Sequence, residues 1–205
     1  MQPMQRILIA THNRGKVTEF AQMMSELPVQ AISLDDAGIT LEVEETGSTF
    51  EENARLKAIG YARESGFLTL ADDSGLEVDA LGGAPGVSSA RYAGPDASDK
   101  DRYTLLLQNL ANVPGDQRTA RFRCAIALAA PDGRIFTGEG VVEGVIASAP
   151  RGEFGFGYDP VFFLPEYGAT MAELRSTFKN VISHRARAFQ AILPRLQALI
   201  TAGQQ

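Results

Sequence analysis

Two adjacent carboxylates, Asp72 and Asp73, are the residues whose type and spacing point most directly to chemistry. They close a short apolar run, residues 67–71, and Ser74-Gly75 follows at once, which predicts a strand that stops at the acidic pair and turns. Neighbouring strand residues face opposite sides, so one carboxylate can meet a ligand while the scaffold holds the other. Such hard oxygen donors suit Mg²⁺ and the water that it activates. The alternative is a solvated turn, because Asp and Gly are ordinary turn residues.

A polar turn follows the first predicted strand, residues 6–11, and precedes an amphipathic helix. This layout gathers free backbone N–H groups and the positive end of a helix at one point, which binds phosphate. It is not a P-loop, because Ala10 stands where the first glycine belongs and Val17 where the Ser/Thr after the lysine belongs. The predicted phosphate turn consists of Thr11, Asn13 and Lys16. The alternative is an ordinary strand–helix connection in which Asn13 is the N-cap.

A lysine lies on the apolar face of the second predicted helix, which opens with a Ser48-x-x-Glu51 capping box and ends near Gly66. Asn53 and Lys57 fall on this face, where a lysine is costly unless it meets an anion. Lys57 therefore reaches a phosphate or the acidic pair, or else its ammonium extends back to solvent. The preceding acidic segment, residues 41–47, is by itself equally typical of a solvated loop.

Two segments in the last third of the chain could contact a base or an anion. In the glycine-rich loop at residues 152–160, Phe156 or Tyr158 could stack on a flat base, or these aromatics could be core residues at a turn. Further along, Lys179 and the run 183–185 precede the last predicted helix. These donors suit an anion or a carbonyl oxygen, and the alternative is a capped, basic helix start.

The composition is that of a soluble globular protein, with 205 residues, 44% hydrophobic and 21% charged. A net charge of −6 and a pI near 5.0 argue against a broad nucleic-acid-binding face. The single cysteine, Cys124, excludes an internal disulfide, and with two histidines it argues against a zinc site. The apolar runs are too short for a signal peptide or a membrane span, so the protein is expected to be cytoplasmic, with no nucleic-acid or membrane partner.

Six blocks in order resemble the inosine triphosphate pyrophosphatase family, also called dITP/XTP pyrophosphatases. They are ATHNRGK at 10–16, EETG at 44–47, FEENARLKA at 50–58, ADDSGL at 71–76 with GAPG at 83–86 and SARY at 89–92, FGFGYDP at 154–160, and SHR at 183–185. Each block is weak alone, but six in family order over nearly the whole chain are specific.

The resemblance implies an α/β fold, a long curved mixed β-sheet flanked by helices, with two lobes and an active-site cleft between them. Residues 1–205 would form a single domain of this kind. The implied activity is Mg²⁺-dependent hydrolysis of nonstandard purine nucleoside triphosphates (ITP, dITP, XTP) to the monophosphate and pyrophosphate, which cleanses the nucleotide pool. The resemblance also implies a homodimer.

The resemblance assigns roles to particular residues. Glu44 and Asp73 would hold Mg²⁺, and Asp73 would also accept the proton of the attacking water. Asp72 would orient that site or help to hold a second metal, and Lys57 would be catalytic. The triphosphate would be held by Lys57, Thr11, Asn13 and Lys16, with Ser74 near the metal. The base pocket would be lined by Phe156, Gly157, Tyr158, Asp159, Lys179, His184 and Arg185.

Base choice then has a simple physical logic. Inosine and xanthosine carry an acceptor oxygen at C6, where adenine carries an amine, so donors from His184 or Arg185 would pair with the oxygen only. Two other functions remain open. One is a nucleotide sensor that binds without hydrolysis. The other is an aspartyl-phosphate phosphatase with Asp72 as nucleophile, although the sequence lacks the Asp-x-Asp spacing that such chemistry needs.

Overall fold

Within residues 4–202, which the computed structural model describes, one seven-stranded sheet is flanked by helices. The strands are β1 (Gln5–Ile9), β2 (Val29–Ser33), β3 (Leu68–Val78), β4 (Thr119–Ala129), β5 (Ile135–Ile146), β6 (Phe162–Leu164) and β7 (Ala169–Thr170). The α-helices are α1 (Arg14–Met23), α2 (Phe50–Ser65), α3 (Asp99–Asn109), α4 (Ser176–Ile182) and α5 (His184–Ala202). No helix in this part of the chain has the length and apolarity required to cross a bilayer.

The sheet is mixed, as the family resemblance implies, with the strand order β2-β1-β3-β4-β5-β6-β7. β1 runs parallel to both β2 and β3, with Ile7 opposite Ala31 and Leu68, whereas β5, β6 and β7 pair antiparallel. Ile7 and Leu8 point to opposite faces of β1 and both are fully buried. A central parallel strand covered on both faces requires such a continuous apolar run.

The strand that carries the acidic pair does not end there, so the prediction of a turn at Ser74-Gly75 is wrong. β3 continues through both carboxylates to Val78. Leu76 and Val78 are fully buried in an apolar cluster, and the Leu76 N–H donates to Ser89 Oγ at 2.9 Å. The burial of these two side chains outweighs the local turn preference of Ser-Gly, because each is worth about 1.5–3 kcal/mol.

The helix boundaries follow the predicted signals closely. The capping box of α2 lies one residue later than predicted. Thr49 is the N-cap, its side chain accepts the Glu52 N–H, and the Glu52 carboxylate accepts the Thr49 N–H. The helix ends at Gly66, whose φ of 68° is accessible to glycine without strain. A second capping box, formed by Ser98 and Asp101, begins α3. α5 begins at His184 and continues through Pro194.

The chain divides into two compact units, each discontinuous in sequence. The first comprises the residues up to Asp73, Cys124–Gly140 and the residues from Arg185 onward, and the second comprises Ser74–Arg123 and Val141–His184. Each unit has its own apolar core. The first core includes Ile7, Phe20, Leu70, Ile126, Phe189 and Leu196, and the second includes Leu76, Leu106, Phe122, Val161 and Phe162.

Candidate active site

The turn between β1 and α1 is held by its own side chains. Thr11 Oγ1 accepts the Asn13 N–H at 3.2 Å, and Asn13 Oδ1 accepts the Lys16 N–H at 3.1 Å. Asn13 is thus the N-cap of α1, and the first turn of this helix presents Lys16. The N-cap interpretation and the phosphate-turn interpretation are compatible, because capping leaves other N–H groups of the first turn available.

Asp72 is a fully buried carboxylate held between two cations of the first unit. Its Oδ2 accepts from Lys16 Nζ at 2.9 Å and from Arg185 Nε and Nη2 at 3.3 Å each. Arg185 in turn donates from Nη1 to Glu19 at 2.5 Å. Burial alone would raise the pKa of Asp72, but Lys16, Arg185 and Lys57 more than offset it and hold that pKa well below its usual range. Asp72 is therefore ionised and is the carboxylate that the scaffold holds.

Asp73 differs electrostatically from its neighbour. Its Oδ2 accepts from Asn53 Nδ2 at 3.0 Å, and the residue is 7% exposed. Burial raises the pKa of Asp73, and the negative charge of Glu45 raises it further. The positive charges of Lys57 and Lys16 lower this pKa by less, so it stays above its ordinary value. A carboxylate with a raised pKa is a stronger proton acceptor, which suits a general base.

Lys57 is buried rather than extended to solvent. Its Nζ lies 2.9 Å from Glu45 Oε1, and the residue is 8% exposed. Burial would lower the pKa of Lys57, but Asp72, Asp73 and Glu45 together raise it above its ordinary value. The lysine is therefore charged beside the acidic pair, as one of the two sequence interpretations predicts.

Glu45 is the functional candidate that the sequence interpretation missed. Its Oε1 contacts Lys57 and its charge raises the pKa of Asp73, whereas Glu44 shows no contact with this centre among the described residues. Both glutamates are exposed, so exposure does not distinguish them. Two neighbouring glutamates in a loop are indistinguishable by type and pattern. Only the direction of the backbone decides which carboxylate faces the lysine. The metal role of Glu44 remains a prediction.

Gly47 explains how the acidic segment comes so close to α2. A Cβ at this position would lie 2.7 Å from Asn53 Oδ1 and 2.6 Å from Glu52 Cβ. Without that carbon, the Gly47 N–H donates to Asn53 Oδ1 at 2.7 Å, while the amide nitrogen of the same Asn53 donates to Asp73. One buried asparagine thus connects the segment that carries Glu45 to the strand that carries Asp73.

The donor set of this centre fits a magnesium ion shared with a substrate. No group of three or more His, Cys, Asp or Glu side chains placed to hold a metal is found among residues 4–202. Mg²⁺ does not require such a group, because it commonly takes one or two carboxylates and completes its shell with phosphate oxygens and water. Asp73 and Glu45, the two carboxylates around Lys57, meet this requirement.

The aromatic loop, defined here as residues 154–159 of the second unit, is built around one buried ion pair. Asp159 accepts from Lys179 Nζ at 2.6 Å and from the Phe156 N–H at 3.0 Å. Lys179 Nζ also lies 4.8 Å from the centre of the Phe156 ring. Gly155 has φ 81°, and a Cβ there would lie 2.1 Å from Asp159 Oδ2. Only glycine therefore allows the carboxylate to reach the loop backbone.

The other predicted base-pocket residues of this unit are more deeply placed. Tyr158 belongs to the apolar core, and its hydroxyl donates to the Ser89 carbonyl at 2.8 Å, with burial raising its pKa. The ring of His184 stacks on Phe122 at 4.7 Å. Ser74, which is predicted to lie near the metal and not in the base pocket, is half-buried on β3. Tyr158 thus follows the core-aromatic alternative, and the half-buried Phe156 is the better stacking candidate.

The three cationic or polar residues predicted to converge before α5 have separate partners. Lys179 pairs with Asp159, His184 stacks on Phe122, and Arg185 binds Asp72 and Glu19. Successive residues on a helix point about 100° apart, so His184 and Arg185 diverge. Their roles in base recognition remain predictions.

The fold and the buried centre define a mixed α/β protein in which two carboxylates surround a charged lysine. The sequence model of the Ham1 family matches residues 7–195. The chain is 50% identical over 195 residues to a dITP/XTP pyrophosphatase of Bacillus subtilis, covering 95% of this chain and 98% of that relative. It is 54% identical over 185 residues to one of Geobacter sulfurreducens, covering 90% and 93%.

Solved structures agree with the sequence relatives. A HAM1 protein from Coxiella burnetii superposes with a TM-score of 0.83 at 41% identity, covering 97% of this chain and 100% of its own. The Ham1 protein of Staphylococcus aureus gives 0.81 at 42% identity, covering 98% and 100%. The chain belongs to the Ham1 family, which confirms the resemblance drawn from the six blocks.

Proposed function

We propose that this protein hydrolyses nonstandard purine nucleoside triphosphates, such as dITP, ITP and XTP, to the monophosphate and pyrophosphate. The observation that carries the proposal is the buried Asp73, whose pKa is raised by burial and by Glu45 although the nearby charge of Lys57 lowers it. Hydrolysis of a phosphoanhydride needs a proton acceptor for water and positive charge for the phosphates, and this centre supplies both. The relatives named dITP/XTP pyrophosphatase support the substrate class.

In this mechanism each residue of the phosphate-binding part has a separate role. Asp73 accepts the proton of the attacking water, and Lys57 and Lys16 neutralise the charge of the triphosphate. The turn at Thr11 and Asn13 offers backbone N–H groups to the phosphates. Mg²⁺, held by Asp73 and Glu45, supplies Lewis-acid activation when bound. Asp72 stays ionised and holds Lys16 in place.

The aromatic loop recognises the purine. Phe156 stacks on the base, and a donor from His184 pairs with the C6 oxygen of hypoxanthine or xanthine. Adenine presents an amine there, which leaves buried donors unpaired, and such a mismatch can discriminate by several orders of magnitude. We further propose that the enzyme acts as a cytoplasmic homodimer that cleanses the nucleotide pool.

A substrate panel tests the function. Purified protein with Mg²⁺ is given dITP, XTP, dATP and dGTP, and pyrophosphate and inorganic phosphate are assayed separately. We expect pyrophosphate from dITP and XTP and far less from dATP. Release of inorganic phosphate instead would favour the phosphatase, and tight binding of dITP without turnover would favour the sensor.

A matched pair of variants tests the metal ligands. Glu45→Gln should lower kcat/KM for dITP by about 100-fold at limiting Mg²⁺, because one of the two carboxylates available to the ion is lost. Glu44→Gln, which alters the exposed neighbour, should stay within about threefold of wild type. The measurement is kcat/KM across a magnesium titration. A severe defect in Glu44→Gln together with normal activity in Glu45→Gln would identify Glu44 as the magnesium ligand instead.

A further inference from the structure

Asp99, the first residue of α3, links that helix to the aromatic loop. Its Oδ2 accepts the Gly157 N–H at 2.7 Å, while its Oδ1 accepts Arg102 Nη1 at 2.7 Å. An acidic residue in the first turn of a helix is favoured by the helix dipole alone. The dipole does not explain why one oxygen of this carboxylate holds a backbone N–H that lies 58 residues further along the chain.

Two consecutive N–H groups of the loop are therefore held by two different carboxylates. The Phe156 N–H is bound within the loop by Asp159, which Lys179 keeps in place, and the Gly157 N–H is bound from outside by Asp99. Gly157 has φ 64°, a conformation that glycine adopts at little cost. The Phe156 backbone is held from both sides, which fixes the direction in which its side chain leaves the chain, and Lys179 Nζ lies 4.8 Å from the centre of its ring.

We propose that Asp99 is a positioning residue for base recognition, which acts by holding the Gly157 N–H so that the Phe156 ring is oriented before the purine arrives. This inference rests on the proposed function, in which the aromatic loop receives the base. A hydrogen bond to an ionised acceptor is roughly twice as strong as a neutral one. Ordering the loop in advance removes an entropic cost from substrate binding, so the effect belongs in KM rather than in kcat.

The test compares Asp99→Ala with wild type on dITP and on inorganic tripolyphosphate, which mimics the phosphates without a base. We expect KM for dITP to rise about ten- to a hundredfold, the range for loss of one hydrogen bond to a charged group, with kcat within about twofold. The inhibition constant of tripolyphosphate should not change. Asp99→Asn should recover only part of the loss, because its amide oxygen can still accept the Gly157 N–H but carries no charge.

Asp101→Ala is the matched control, because Asp101 lies in the same helical turn and its carboxylate accepts the capping-box bonds of Ser98. It should lower the thermal stability about as much as Asp99→Ala while leaving KM unchanged. If Asp99→Ala does not fold, Asp99→Ser replaces it, since serine suits a helix start but is shorter than aspartate.

Three results would overturn the inference. They are a wild-type KM in Asp99→Ala, an equal rise in the tripolyphosphate inhibition constant, or a matching KM defect in Asp101→Ala. A wild-type protein that does not turn over dITP would defeat the proposed function itself, and so is distinguishable from these three results.

Discussion

Replacing Asp73 by Asn should reduce pyrophosphate release from dITP by at least about 10³-fold while the protein still folds. An amide cannot accept the proton of the attacking water, and general-base catalysis alone contributes about 10²–10⁴-fold. The same change removes a negative oxygen from the proposed metal site. The measurement is the initial rate of pyrophosphate release at saturating dITP and Mg²⁺. Turnover near the wild-type rate would defeat the assignment of Asp73.

The fold should survive this substitution for a physical reason. Asn53 donates to an oxygen of Asp73, and the oxygen of an asparagine at that position can accept the same bond. The folded pKa of Asp73 lies above its ordinary value of 3.8, so the ionised carboxylate lowers the stability of the native state at neutral pH. We therefore expect the urea midpoint of Asp73→Asn to equal or exceed that of wild type. A lower midpoint would mean that the loss of activity reflects unfolding.

Replacing Arg185 by Met should lower the free energy of unfolding by about 3–5 kcal/mol, the usual cost of breaking a buried ion pair by removing one partner. Arg185 is 1% exposed, and its guanidinium donates hydrogen bonds to the carboxylates of both Glu19 and Asp72. Methionine leaves the Glu19 carboxylate buried beside an apolar side chain and leaves Asp72 with Lys16. Urea unfolding, with an unchanged m-value, measures the loss.

Two further variants make this prediction specific. Arg187→Met removes an exposed arginine of the same helix and should change stability by no more than about 0.5 kcal/mol. Arg185→Lys keeps the charge but lacks the planar fork that serves two carboxylates, so it should recover only part of the loss. Equal effects of the two methionine variants would contradict the buried network.

The stability difference between wild type and Arg185→Met should depend on pH, because Asp72 contributes to it only while it is ionised. The folded pKa of Asp72 lies below its ordinary value of 3.8, so its contribution is fully present above that value and is lost as the pH falls through the folded pKa. The stability gap between wild type and Arg185→Met should therefore persist from pH 7 to about pH 4 and narrow only below it. If this stability difference disappears between pH 7 and pH 5, a group other than Asp72 must control it.

Local patterns predicted most of the elements because local forces decide them. The cap at Asn13 and the glycine end of α2 at Gly66 are satisfied by contacts within a few residues. The apolar run of β1 also predicts its strand, although its side chains are buried by distant segments. The turn expected at Ser74-Gly75 failed because the burial of Leu76, which depends on distant partners, outweighs the local preference.

The sequence by itself determined the family, because six short blocks in order carry it, and the family implied the fold class. The residue types in those blocks also supply the chemical groups of the candidate site. It also showed that a lysine on an apolar helix face needs an anion, and Lys57 has one. Only the tertiary structure decided that Glu45 rather than Glu44 faces this lysine. Only the tertiary structure showed that Arg185 joins Glu19 and Asp72, which lie 166 and 113 residues away. The partner of a buried charge is chosen by folding, because no local spacing records which distant segment will lie beside it.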